Sequence, residues 1–139
     1  MKGSVMRKWL YHLGLALGAA VMFMMAEVER ATQKSTSAGV VPTVIEGMSA
    51  ADVQIIPNKN GNVTLRVING GAEATKVTIV TPGEQGGNPV ADREVEVANG
   101  ATKVIGPFDP NTYNNSKGNL EVKFTKVASV KLEILETAF

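Results

Sequence analysis

From Val40 onward, apolar and polar residues alternate. Val63-Thr64-Leu65-Arg66-Val67-Ile68, Glu94-Val95-Glu96-Val97, Leu120-Glu121-Val122-Lys123-Phe124 and Val130-Lys131-Leu132-Glu133-Ile134 share this pattern. A period of two puts Val, Leu, Ile and Phe on one strand face and the charged residues and Thr on the other. Val40 to Ile45, Val53 to Ile56, Val77 to Val80 and Lys103 to Ile105 are shorter candidates. Turn formers separate them, including Asn58-Lys59-Asn60-Gly61, Asn69-Gly70-Gly71, Gly86-Gly87-Asn88-Pro89, Asn99-Gly100 and Lys117-Gly118-Asn119.

The beginning of the chain has neither pattern. Trp9 to Ala26 holds eighteen positions without a formal charge, apolar on every side of a helical wheel. As a helix it would be about 27 Å long, close to a hydrocarbon core. The spacing predicts that such a helix continues through Glu27 to Lys34, and that Ser35 to Gly39 forms a hinge. The expected fold class is therefore mainly β: an antiparallel sandwich, Ig-like or jelly-roll-like, of seven or eight strands, preceded by one long N-terminal hydrophobic helix. The expected organisation is an anchor or oligomerisation helix over 1–34, a hinge over 35–39 and a sandwich over 40–139.

A surface apolar all round must be buried in lipid or in protein. Trp9, Leu13, Gly14, Leu17, Gly18, Val21 and Phe23 are the candidate packing or anchoring residues, with Gly14 and Gly18 as a GxxxG close-approach face. Three readings fit: a secretory leader, a membrane anchor, and a helix bundled with its own copies or with a partner. Lys2, Arg7 and Lys8 before the segment would keep the N-terminus cytoplasmic if it crosses a bilayer. The small-x-small cleavage pattern of a leader is poor around Met24 and Ala26. Burial in an assembly implies a homo-oligomer, because one such helix cannot cover itself.

Composition narrows the chemistry. The 139 residues carry 14 Lys+Arg and 13 Asp+Glu, no Cys and one His. Without Cys there is no disulfide framework, thiolate metal site or thiol nucleophile. From residue 31 onward acidic residues exceed basic ones by one, so the sandwich has no footprint for nucleic acid. His12 lies one turn from Lys8 and Trp9 with no Ser or carboxylate nearby, and reads as an interface residue. Asp92, Glu94 and Glu96 would share one strand face, the pattern of a solvated surface. Asp109 to Ser116 is rich in oxygen but lacks the central Gly and closing Glu of a calcium loop; Asx turns account for it. The Asn62 and Asn114 sequons carry meaning only in a eukaryotic secretory setting. The expectation is no catalytic residue, no metal and no cofactor.

One succession is more specific than its composition. Residues 60 to 125 carry, in order, NGNVTLRVING, VTIVTPG, VADREVEV, GATKVIGPF, YNN and GNLEVKF. Over Val53 to Leu135 the chain resembles small β-sandwich structural proteins of tailed bacteriophages and prophages: head decoration, head-fibre or minor virion proteins. The distinctive residues are Asp92 and Arg93 before an alternating strand, and Gly106, Pro107 and Phe108 followed by Tyr113 and Asn114. Their expected jobs are structural. Gly106-Pro107 would end a strand, Phe108 and Tyr113 would pin a loop onto the end of the sandwich, and Asp92 and Arg93 would pair or cap a turn.

The resemblance implies a non-enzymatic location in the virion, with the major capsid protein or other virion subunits as partners. The apolar segment departs from the short polar arm of that family. It leaves open a membrane contact through 9–26, and with it a membrane-anchored bacterial surface or periplasmic binding module as the alternative. A pilin-like filament subunit is a weaker one.

Overall fold

The computed structural model describes residues 26–137. Two sheets face each other. One holds five strands: β1 (Glu27–Glu29), β3 (Val53–Pro57), β10 (Asn119–Phe124), β5 (Thr75–Ile79) and β8 (Arg93–Val97), adjacent in that order. The other holds four: β2 (Gln33–Lys34), β11 (Val130–Glu136), β4 (Val63–Asn69) and β9 (Thr102–Ile105). A small hairpin, β6 (Glu84–Gln85) with β7 (Asn88–Pro89), stands apart, and α1 (Pro110–Tyr113) is a single turn.

The alternation read from the sequence sets the faces. In β4, Val63, Leu65 and Val67 are buried while Thr64, Arg66 and Ile68 are half-exposed. Leu120, Val122 and Phe124 of β10 and Val130, Leu132 and Ile134 of β11 complete the interior with Ile56, Val77, Ile79 and Val97. Each such side chain contributes roughly 1.5–3 kcal/mol by leaving water. With few aromatics, aliphatic volume fills the core.

The fold class is corrected in two respects. Among the described residues there is no long N-terminal hydrophobic helix: Glu27–Glu29 and Gln33–Lys34, expected to continue it, are strands, and the only helix is the four-residue α1. Trp9, Leu13, Gly14, Leu17, Gly18, Val21 and Phe23 lie outside the described residues. The sheets are also mixed, not purely antiparallel. β1 runs parallel to β3 and β2 parallel to β11, whereas the other pairs are antiparallel. Among the described residues no helix is long and apolar enough to cross a membrane.

The physical reason is an open sheet edge on each side of the sandwich. The Val53 N–H donates to Ala26 O (2.9 Å), the Arg30 N–H to Ile55 O (2.8 Å) and the Ser35 N–H to Glu136 O (2.9 Å). These bonds satisfy backbone groups on β3 and β11 that would otherwise be bare, and outweigh the modest helix propensity of Glu-Val-Glu-Arg. Ser35 to Gly39 therefore follows the first strands instead of joining a helix to the sandwich. Val40 to Ile45 is not a strand; only Ile45 pairs, exchanging two backbone bonds with Leu132.

Arg30 also marks the corner where the arm leaves one sheet for the other. Its Nε donates to Oε1 of the fully buried Gln54 (2.6 Å). Burial pushes the Arg30 guanidinium below its ordinary pKa, and the Asp52 carboxylate opposes that shift.

Candidate functional site

The motif residues converge at one end of the sandwich. β9 stops at Ile105, and Gly106 follows with φ +123, a conformation suited to glycine. A Cβ there would sit 2.8 Å from Val63 O and 3.0 Å from the Phe108 ring, so the chain passes where only glycine fits. The Gly106–Pro107 peptide is cis and Pro107 is exposed. Phe108 is buried, and its ring meets Tyr113 edge to face at a centroid distance of 5.6 Å.

Next along the chain, Asp109 caps α1. One carboxylate oxygen accepts the Asn111 N–H (3.1 Å), the other the Thr112 hydroxyl (3.0 Å), and Pro110 stands in the first turn. A reciprocal amide clamp fastens the loop to the body. Asn58 Nδ2 donates to Phe108 O (3.0 Å) and to Asn114 Oδ1 (2.8 Å), and Asn114 Nδ2 donates back to Asn58 O (2.8 Å). Asn115 finishes the loop: its Oδ1 accepts the Lys117 and Asn119 N–H groups, and its Nδ2 donates to Glu121. The Asp109 and Asn115 side-chain oxygens are thus engaged by donors close in sequence, the pattern of Asx turns, while Asn114 Oδ1 is taken by Asn58. Among the described residues no three His, Asp or Glu side chains cluster as a metal site would require.

Beside this loop lies an open cleft of about 420 Å³, lined by Thr81, Val90, Asp92, Arg93, Thr112 and Tyr113 among others. It joins three of the motif residues, Asp92, Arg93 and Tyr113, while Gly106, Phe108 and Asn114 support the loop that forms one wall. Asp92 does not bridge to Arg93 in the structure; its Oδ1 accepts the Thr81 N–H (2.9 Å) and closes the segment between β5 and β8. Glu94 and Glu96 are both exposed along β8, and Lys76 reaches Glu94 at 3.4 Å. The cleft offers an aromatic ring, a guanidinium and carboxylates to a polar contact surface.

Sequence reasoning missed Asn58, which it treated only as part of a turn. The missing signal was long-range: its partners lie about fifty residues downstream, and a buried Asn in a turn has the same local sequence as an exposed one. Gln54 was missed for the opposite reason, since it sits inside an apolar run and looks like a solvent-facing interruption. No protein-family model matches the chain, and neither a curated protein nor a solved structure matches it.

Proposed function

We propose that this chain is a non-enzymatic virion structural protein of the tailed-bacteriophage kind, a capsid decoration, minor capsid or head-fibre protein. Its partners are the major capsid protein or other virion subunits, and it acts by association. The resemblance over Val53 to Leu135 supports the class. The observation that carries the mode of action is the absence of a linker after the apolar segment. Ala26, its last residue, already accepts a hydrogen bond from Val53 of β3 (2.9 Å). Whatever holds residues 9–26 therefore holds the sandwich directly, and the arm spreads that hold over both sheets through β1 and β2.

Full-length chain and a variant lacking residues 1–25 are each supplied to assembling particles, which are then purified free of membrane. The full chain is expected in the particles and the variant is expected outside them, with its melting transition intact. Absence of the full chain from purified particles, with recovery in the membrane fraction of uninfected cells, would instead identify a membrane-anchored surface or periplasmic module.

A further inference from the structure

Three asparagines are followed by glycine: Asn60-Gly61, Asn69-Gly70 and Asn99-Gly100. Glycine leaves its own backbone nitrogen unobstructed, so all three share the same intrinsic chemistry. That nitrogen can attack the asparagine Cγ. The N–Cγ bond forms, the Cγ–Nδ2 bond breaks and ammonia leaves, giving a cyclic imide. Water then opens the imide at either carbonyl, yielding aspartate or isoaspartate. The fold alone decides which of the three can reach this geometry.

Asn69 is held shut. It is 1% exposed; its Nδ2 donates to Glu73 O (2.9 Å) and Val97 O (3.0 Å), and its Oδ1 accepts the Gly71 N–H (3.0 Å). The attacking nitrogen, Gly70 N, is itself tied to Ser129 O (2.9 Å). Asn99 is exposed, yet the Gly100 N–H donates to Asn69 O (2.7 Å), so its nucleophile is engaged. Asn60 differs from both. It is exposed in the turn between β3 and β4, and among the described residues neither its amide nor the Gly61 N–H makes a hydrogen bond.

We infer that Asn60 is a site of spontaneous deamidation, with Asn99 and Asn69 protected by the fold. The consequence falls on the loop end. Gly61 has φ +71, and a Cβ on it would lie 2.8 Å from Pro110 Cδ, so this turn rests against the first residue of α1. Isoaspartate at position 60 lengthens the backbone by one carbon and adds a negative charge beside the helix turn that carries Thr112 and Tyr113.

The test follows all three sites by mass-spectrometric peptide mapping during warm, mildly alkaline incubation of the full chain, native and in concentrated urea. In urea the three convert at comparable rates. In the native chain Asn60 stays close to its urea rate, Asn99 slows roughly fivefold, the factor one net hydrogen bond supports, and Asn69 slows by more than roughly 100-fold because it must open locally. A native order in which Asn60 is not fastest, or protection of Asn60 as deep as that of Asn69, overturns the assignment.

Discussion

The two flanks of the sandwich solve the same problem in opposite ways. On one flank the arm pairs with both sheets, β1 against β3 and β2 against the end of β11, with Ile45 bridging to Leu132 of β11. There β3 is buried at four consecutive positions, Val53 to Ile56, including the polar Gln54. On the other flank β8 and β9 have no outer strand partner among the described residues. That edge is guarded by charge: Arg93, Glu94, Glu96 and Lys103 are exposed, and Val104, 66% exposed, is the one large apolar residue exposed along β8 and β9. Charged residues on an open edge discourage unwanted pairing with other strands. This chain thus covers by backbone pairing the edge next to its apolar segment, and protects by side chains the edge on the other flank.

Substitutions at the buried positions of the closed flank should therefore cost far more than substitutions at the exposed positions that guard the open one. Leu132→Ala, in the strand that receives both β2 and Ile45, is expected to lose about 3 kcal/mol in urea unfolding, as a fully buried leucine does. Arg30→Ala leaves Gln54 buried without its partner and should cost about 1–3 kcal/mol, whereas Glu29→Ala beside it should change the unfolding midpoint little.

Arg66→Ala probes the middle of the four-stranded sheet. It strips the buried Glu133 carboxylate of a 2.8 Å ion pair whose arginine side chain is 43% exposed. The expected loss is about 1–2 kcal/mol, below that of a fully buried pair, and it should shrink in high salt. On the open flank, Val104→Thr and Glu94→Ala should each stay within about 0.5 kcal/mol. Equal losses on the two flanks, measured by the same unfolding curves, would dissolve the distinction.

Much of the sandwich was legible in the sequence, and the reason is local. Strands β4, β8, β10 and β11 each carry enough alternating positions for a period of two to stand out, and Gly and Asn mark the turns between them. The loop end was legible in part: Gly106, Phe108, Asp109 and Tyr113 have conformational and packing preferences that act within a few residues. Asn58 did not announce itself, because its role depends on a carbonyl and an amide brought to it from across the fold.

By itself, then, the sequence determined the strand faces, the turn positions, the aliphatic core and the unlikeness of its first residues to the rest. Only the tertiary structure decided that Glu27–Glu29 and Gln33–Lys34 are strands. Three residues of Glu-Val-Glu suit a helix as readily as a strand, and the choice was made by unsatisfied hydrogen-bonding groups on β3 and β11. Parallel direction, likewise, is invisible to a side-chain pattern, which reads the same in either orientation. Tertiary structure also separated three identical Asn-Gly pairs, since the bonds that restrain Gly70 and Gly100 reach carbonyls some thirty to sixty residues away.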